Sequence, residues 1–408
     1  MEFVYPPSAW ERTMKIQEVF GKVRAGSLLW REAAEVLGVD PRTMRRWREV
    51  VEDGGFKALL DKRHRSPSPK RAPEAVRNEV LKLYRDAYRD WNVKHFHEKL
   101  QGQGIKLSYT WVKNLLQETK LVQKTRKRDK HRKQRARKPL PGMMLHIDGS
   151  DHVWIPDLAG RQCLIIVMDD ATSEVYYAKL VPEESTWECL LALKHVVQIK
   201  GIFCTLYSDR ARHFFHTPKA GGKVDLSNLT QVGRSLYELG IQMIPAYSPQ
   251  ARGRSERLNQ TWQGRLPNEL KLHGIKTIPD ANRYILETFQ GWHNKEMVVK
   301  PTAGGSAFTP CAGRDLNLVF SVKEQRTVNH DNTVQWKKLM LQIEPSDHRV
   351  SFAKCQVTVS EDYEGRTSIL YGPNIIGRYD RSGKNINNTK TTKRTNHLLQ
   401  KADILTCC

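Results

Sequence analysis

The sequence predicts a multidomain α+β protein with helical modules first, a mixed α/β domain next and a small domain of short strands last. Three observations support this fold class. Apolar residues recur at helical spacing through residue 122, strands then alternate with helices, and short alternating strands follow residue 316. A chain of 408 residues has room for about two to four domains.

The composition indicates a polyanionic partner. Lys and Arg number 67 against 44 Asp and Glu, a formal charge of +23. No apolar run approaches the roughly 20 residues that a membrane-spanning helix needs, and the first residues lack an apolar signal core. The seven cysteines include no CxxC pair, which argues against a zinc ribbon. We therefore expect a cytoplasmic protein whose partner is nucleic acid and not a membrane.

Residues 1–65 are predicted to form a helix-turn-helix DNA-binding domain. Ser27 is expected to cap the second helix, Gly38 supplies the turn, and Asp40 with Pro41 begins the third helix. A basic last helix suits the major groove, although such a helix can also pack against its own protein. The basic residues expected to contact DNA are Arg42, Arg45 and Arg46.

Residues 70–122 repeat this layout and predict a second helical, helix-turn-helix-like DNA-binding domain, with Ser108 capping its last helix. A basic linker follows at 123–140. Its like charges repel one another, so we expect an extended segment that follows a DNA backbone.

The central domain, residues 141–310, has the predicted order βββαβαβα. The first three strands can form an antiparallel meander, so the whole predicts a mixed five-stranded sheet with flanking helices. Asp148 is expected at the end of the first strand and Asp209 at the end of the fourth. Sites in α/β sheets commonly lie at such strand ends.

Glu256 lies near the start of the helix predicted from about 253 to 272. It lies off the predicted buried stripe of that helix, roughly opposite Leu258. The stripe consists of Leu258, Trp262, Leu266 and Leu270.

Three carboxylates that converge repel one another unless a cation lies between them. Oxygen-only ligands suit Mg²⁺ or Mn²⁺, and two such ions can promote phosphoryl transfer. We therefore predict that Asp148, Asp209 and Glu256 are catalytic residues and metal ligands.

Basic and amide side chains surround Glu256. Arg252 and Arg254 flank Gly253 and are predicted to contact DNA phosphates. Arg257 and Asn259 are predicted either to support the acids or to contact DNA.

Other candidates stay open near the first strand. Asp151 is an alternative metal ligand. Asp169 and Asp170 begin a turn, for which a structural role is favoured. His146 and His152 could hold a proton or contact DNA, although structural histidines are commoner.

The strand that ends in Asp148, the segment YSDRARHF around Asp209 and the segment SPQARGRSERLNQTW around Glu256 together resemble the three motifs of DDE transposases and retroviral-type integrases. The resemblance covers about residues 13–310. It extends to bacterial insertion-sequence transposases, including those of the ISNCY group. It implies an RNase H-like integrase catalytic core. The interval from Asp209 to Glu256 is longer than in integrase-type members, through the extra segment FFHTPKAGGKVDLSN.

The resemblance further implies a DNA transposase that cleaves transposon ends and transfers the 3′-hydroxyl into target DNA. Its partners would be those DNAs and further copies of itself, in a nucleoid-associated bacterial setting. Two alternatives remain: an inactive DNA-binding regulator derived from a transposase, and a metal-dependent DNA nuclease. Residues 316–380 predict a small β-barrel, and 381–408 a disordered basic tail.

Overall fold

A computed structural model describes residues 7–60, 72–124, 135–219, 222–247, 253–345 and 349–386. The chain divides into two compact units. The first comprises Met1–Arg89 with Lys113–Leu121, and the second comprises Asp90–Val112 with Val122–Cys408. Residues 125–134 of the predicted linker and 387–408 of the predicted tail lie outside the described residues, and the domain boundaries stay predictions.

The first unit begins with three helices that enclose one apolar core. They are α1 (Pro7–Arg24), α2 (Trp30–Leu37) and α3 (Pro41–Gly54). Their buried residues include Phe20, Ala33, Ala34, Met44 and Val51. This unit continues with α4 (Glu74–Asp86).

The predicted start of α3 is confirmed, since the Asp40 carboxylate accepts a hydrogen bond from the Arg42 amide at 2.7 Å. The prediction for Ser27 was wrong. Its hydroxyl donates to the Lys22 carbonyl at the end of α1, whereas α2 begins after Leu29, whose amide donates to the Glu32 carboxylate. A capping carboxylate three residues into the helix thus replaces the expected serine.

The second unit contains α5 (Val93–Gly102) and is built around a five-stranded sheet. The division between the units falls within α6 (Tyr109–Glu118), and the predicted cap of that helix is confirmed, since the Trp111 amide donates to Ser108 Oγ at 3.2 Å. The strands are β1 (Leu145–His152), β2 (Gln162–Asp169), β3 (Val175–Val181), β4 (Thr205–Ser208) and β5 (Gln242–Pro245). Their order is β3-β2-β1-β4-β5. The first three pair antiparallel, whereas β4 runs parallel to β1 and β5 parallel to β4. The predicted mixed sheet is confirmed.

Helices pack on both faces of this sheet because successive strand residues point to opposite sides. The first face, with Leu145 and Ile147, packs against α7 (Thr186–Lys200) and α8 (Gln231–Glu238). The second face, with Leu164 and Ile166, packs against the later helices. These are α9 (Gly253–Gln263), α10 (Leu266–Leu272), α11 (Ile278–Tyr284) and α12 (Gln290–Glu296).

The buried stripe of α9 and α10 is as predicted, and its four members are at most 6% exposed. The prediction of one continuous helix was wrong. The chain leaves helical geometry at Arg265 and restarts with Pro267 in the first turn of α10. Proline has no amide hydrogen to continue the preceding helix, but it is well suited to a first turn.

The C-terminal part of the second unit is a small β domain that follows α13 (Leu316–Val319). Its strands are β6 (Val322–Thr327), β7 (Thr333–Trp336), β8 (Leu339–Gln342), β9 (Gln356–Glu361), β10 (Thr367–Tyr371) and β11 (Asn374–Tyr379). They form a four-stranded sheet, β11-β10-β9-β6, and a β7-β8 hairpin over one shared core. Within the described residues no strand pairing closes them into a barrel, and closure stays a prediction. Over the same residues, no helix is long and apolar enough to cross a membrane.

Candidate active site

Asp148 on β1 and Asp209 directly after β4 lie at the same level of two neighbouring strands. The parallel register pairs Leu145 with Leu206 and His146 with Tyr207. Asp148 and Asp209 each follow the second of these pairs by two residues, so the two acids lie at the same level of the sheet, Asp148 within β1 and Asp209 one residue beyond β4. Asp148 also pairs with Ile166, which lies in the core beneath α9. Asp148 therefore lies on the α9 side, and Asp209 lies in the turn after β4, where its carboxylate accepts a hydrogen bond from the Ala211 amide at 3.0 Å.

The prediction that Asp148 ends the first strand was wrong in detail. β1 continues to His152 through its pairing with β2, so Asp148 lies in the middle of the strand. Its pairing with β4 nevertheless stops at His146. β4 itself ends two residues after Leu206, at Ser208. Asp209 follows the last residue of β4 directly, as predicted.

Helix α9 is bonded to this part of β1 by two side-chain amides. Asn259 Nδ2 donates to Asp148 Oδ2 at 2.8 Å, and Gln263 Nε2 donates to Ser150 Oγ at 2.9 Å. Glu256 precedes Asn259 by three residues and is exposed. Side chains three apart on a helix are neighbours, with Cβ atoms about 5–6 Å apart. Glu256 thus lies one turn before the residue that contacts Asp148.

The donor atoms at this site suit a hard divalent cation. Asp148 is 5% exposed, and the amide oxygen of Asn259 beside it is buried with no hydrogen-bond partner in the described structure. Carboxylate and amide oxygens are ligands typical of Mg²⁺ and Mn²⁺. The unpaired oxygen is what such an ion would satisfy, so the predicted donor set is chemically consistent with the predicted metal.

Asp151 lies on the other face of β1, since it is three positions after Asp148 and strand side chains alternate between the faces. It pairs with Cys163, whose neighbours in the sheet belong to the core beneath α7. Its carbonyl accepts a hydrogen bond from Arg161 at 2.7 Å. This placement favours Asp148 over Asp151 as a ligand on the α9 side.

Asp170 is fully buried and joins three segments of the second unit. Its carboxylate accepts hydrogen bonds from Arg135, Arg254 and His146, the last at 2.7 Å, and from the Lys138 amide at 2.8 Å. Burial opposes ionisation, but these donors hold the pKa of Asp170 well below its usual range. Burial lowers the pKa of His146, which agrees with a structural histidine.

Asp169 also has structural partners. It accepts hydrogen bonds from the amides of Gly142, Ala171 and Thr172. Burial raises the pKa of this carboxyl despite those bonds. His152 lies edge-on to buried Trp154, with ring centroids 5.3 Å apart.

The basic residues predicted to contact DNA are placed differently from one another. Arg254 forms an ion pair with Asp170, whereas Arg257 is exposed and forms no ion pair with another described residue. Arg252 lies outside the described residues. On α3, all three predicted arginines are exposed and none forms an ion pair with the described part of the chain: Arg42, Arg45 and Arg46.

One polar cluster was missed by the sequence reasoning. Glu184 Oε1 lies 3.0 Å from His213 Nε2, and Cys189 Sγ lies 3.6 Å from the same oxygen. A Cβ added to Gly149 would collide with the Glu184 carboxylate. The cluster therefore joins α7, β1 and the segment that carries Asp209. The available signals were an acid directly before the Ser185 helix cap and a histidine four residues after Asp209.

Sequence comparisons agree with the helical start of the chain. A helix-turn-helix domain family model matches residues 17–68, and a homeodomain-like domain model matches residues 43–116. The first covers all of α3, and the second covers α3 from residue 43 onward.

A curated relative, the putative transposase y4bF of Sinorhizobium fredii, is 30% identical over 340 residues, which cover 83% of this chain and 74% of the relative. The chain belongs to the transposases of insertion sequences. A second transposase, that of insertion sequence IS1202 of Streptococcus pneumoniae, is 29% identical over 270 residues; the match covers 57% of each chain. For that relative, therefore, the match spans little more than half of its length.

The transposase also resembles solved viral structures. A simian T-cell lymphotropic virus intasome in complex with a PP2A regulatory subunit aligns at 12% identity and a TM-score of 0.32, over 67% of this chain and 87% of that one. The HTLV-2 integrase catalytic core domain in complex with magnesium aligns at 16% identity and a TM-score of 0.27, over 36% and 88%. The family assignment rests on the sequence relatives and not on these similarities.

Proposed function

We propose that this transposase cleaves the ends of its insertion sequence and joins the freed 3′-hydroxyl to target DNA, using an RNase H-like core. Asp148, Asp209 and Glu256 are the proposed catalytic acids and hold Mg²⁺ or Mn²⁺, two ions in all. The observation that supports the proposal is that Asp148 and Asp209 lie at the same level of the sheet, combined with the hydrogen bond from Asn259 that connects α9 to Asp148.

In this proposal, the protein's own residues position the metal ions and supply the negative charge that binds them. Asp148 offers its carboxylate from β1 and Asp209 offers its carboxylate from the first position after β4, and in this proposal α9 carries Glu256 beside them. Asn259 restrains Asp148 through its amide hydrogens, and its buried side-chain oxygen has no hydrogen-bond partner among the described residues. When bound, the metal ions would activate the attacking oxygen and stabilise the leaving oxygen.

DNA recognition is assigned to the helical modules. Exposed arginines at the start of α3 suit the major groove, where the first residues of a recognition helix read base edges. The net charge of +23 adds salt-dependent affinity for phosphates. Two ends must be held together for insertion, so we propose that the transposase acts as an oligomer on transposon ends and target DNA.

A strand-transfer assay tests the proposal against its two rivals. Purified protein is incubated with Mg²⁺, labelled element ends and a supercoiled plasmid. Joined products are expected. Cleavage without joining would support a nuclease instead, and binding without either reaction would support an inactive regulator.

A further inference from the structure

A cavity of about 540 Å³ lies beside α9 and is lined by four arginines. They are Arg135, Arg137, Arg254 and Arg257. Apolar side chains, Met168 and Leu258 among them, complete its wall. Four guanidinium groups around one cavity are costly unless anions balance them.

Only part of that charge is balanced within the described chain. Asp170 is shared by Arg135 and Arg254, and Asp169 is already bonded to three backbone amides. His293, which also lines the cavity, has its pKa lowered to about 4 by burial. Four positive side chains therefore face at most two carboxylates.

Three of the arginines are fixed before any ligand binds. Arg135 and Arg254 bond to the buried Asp170. Arg137 donates through Nη1 to the Asp170 carbonyl at 3.0 Å and to Ser173 Oγ at 2.9 Å. Burial first, and then Arg254 and Arg257, lower the pKa of Arg137. Its guanidinium thus lies near like charges and has further N–H groups to offer.

The cavity lies across α9 from the catalytic acids. At about 100° per residue, Arg254, Arg257 and Leu258 project from one side of the helix. Glu256, Asn259 and Gln263 project from the opposite side, towards β1. A helix with its side chains is about 10–12 Å across, so an extended ligand that crosses the start of α9 would contact both sides.

We propose that this cavity binds a backbone phosphate of the DNA strand whose cleavage site lies at Asp148, so that the strand is held across the first turn of α9. This inference rests on the proposed function and adds a second contact point to it. Arginine suits phosphate because its planar N–H groups can bond two phosphate oxygens at once. Arg257 would close on the ligand, while the three restrained arginines form the preformed part of the site.

The test uses full-length protein and element ends in which single phosphates are replaced by uncharged methylphosphonates. Equilibrium binding is measured without divalent metal, so the result does not depend on catalysis. One neutral linkage near the cleavage position should weaken wild-type binding about tenfold, the value of one charge-assisted hydrogen bond. The same linkage should have little effect on Arg257→Ala, which has already lost the contact.

Arg283→Ala is the matched control, because Arg283 is an exposed arginine on α11 outside the cavity. It should bind as the wild type does, and its response to the neutral linkage should be unchanged. Arg137→Gln tests the preformed part of the site, with thermal unfolding measured in parallel. The proposal is overturned if Arg257→Ala and Arg283→Ala respond alike, or if every neutral linkage weakens wild type and Arg257→Ala equally. A failure of the wild type to cut DNA would count against the proposed function but leave this binding test valid.

Discussion

Asn259 on α9 donates a hydrogen bond to Asp148 in the middle of β1, with 2.8 Å between Nδ2 and Oδ2. These residues are 111 positions apart in the chain. Their contact connects the helix that carries Glu256 to the strand that carries Asp148. The geometry of the proposed acid triad therefore depends on an amide as well as on three carboxylates.

Replacing Asn259 with Asp should lower the rate of DNA cleavage at least about tenfold. The variant loses a hydrogen bond to a charged group, worth about 1.5–3 kcal/mol, and puts a second carboxylate beside Asp148. Cleavage of labelled ends and end-binding affinity are measured together, and affinity should be unchanged. Gln260→Ala, at the exposed next position, is the control. Equal rates for Asn259→Asp and wild type would show that this contact is not needed.

The sequence was sufficient to predict the sheet and the level of two acids because both follow from local patterns. Strand alternation and the order of elements place Asp148 and Asp209 on or directly after two strands, although they did not show that β1 continues past Asp148 to His152. The sequence could not predict which partner Asn259 contacts, because the pattern left open whether Asn259 supports the acids or contacts DNA. The partner of Asn259 depends on how distant segments of the chain pack together, and a local sequence pattern carries no information about that packing.

Gly149→Ala should destabilise the protein by about 1–3 kcal/mol, the usual range for overpacking. A Cβ at this position overlaps the Glu184 carboxylate, which must then move away from His213. The free energy of unfolding is measured by urea denaturation. In a Glu184→Ala background the same glycine change should cost clearly less, because the obstructing carboxylate is gone. Equal costs in both backgrounds would contradict the packing described for Gly149.

The cluster of Glu184, Cys189 and His213 and the cavity of arginines were beyond sequence analysis for the same reason. Both groups of residues bring together segments that are far apart in the chain. Taken alone, each of these residues could be an ordinary surface or core residue. Arg254 illustrates this well. Its position beside Gly253 predicts a phosphate contact, yet the structure gives it a buried partner, Asp170, from the turn after β2. A phosphate contact for Arg254 stays a prediction.

Stability at low pH should depend on Glu269, which lies between His95 at 2.5 Å and Lys99 at 2.7 Å. Burial alone would raise its pKa, but these two donors outweigh burial and lower the pKa to about 2 from 4.5. The ionised form therefore favours the folded state. Its contribution is complete above pH 4.5 and is lost as the pH falls towards 2.

Urea unfolding at pH 7 and pH 3 measures this contribution. Wild type should lose about 2 kcal/mol more stability between these pH values than Glu269→Gln, which has no carboxylate to titrate. Glu287→Gln, at an exposed site, should behave as the wild type does. Parallel losses in wild type and Glu269→Gln would exclude the proposed role of this carboxylate.

Replacing Arg45 or Arg46 on α3 with Ala should weaken binding to element ends and reduce the salt dependence of binding. Each phosphate contact that is lost lowers the slope of log affinity against log salt by about one. Lys22→Ala is a charge-matched control on α1, where Lys22 is paired with Glu18. Unchanged affinity and slope in the α3 variants would remove this helix from the DNA interface.

The most direct test of the central claim is the rate of Mg²⁺-dependent cleavage and joining by Glu256→Gln, measured beside its affinity for labelled element ends. The substitution keeps the size of the side chain and removes one charge from the proposed metal site, and Glu287→Gln removes an exposed charge elsewhere. We predict that Glu256→Gln binds ends like the wild type but forms neither cleaved nor joined product, whereas Glu287→Gln is fully active. Full activity of Glu256→Gln would contradict the assignment of Glu256 as the third catalytic acid.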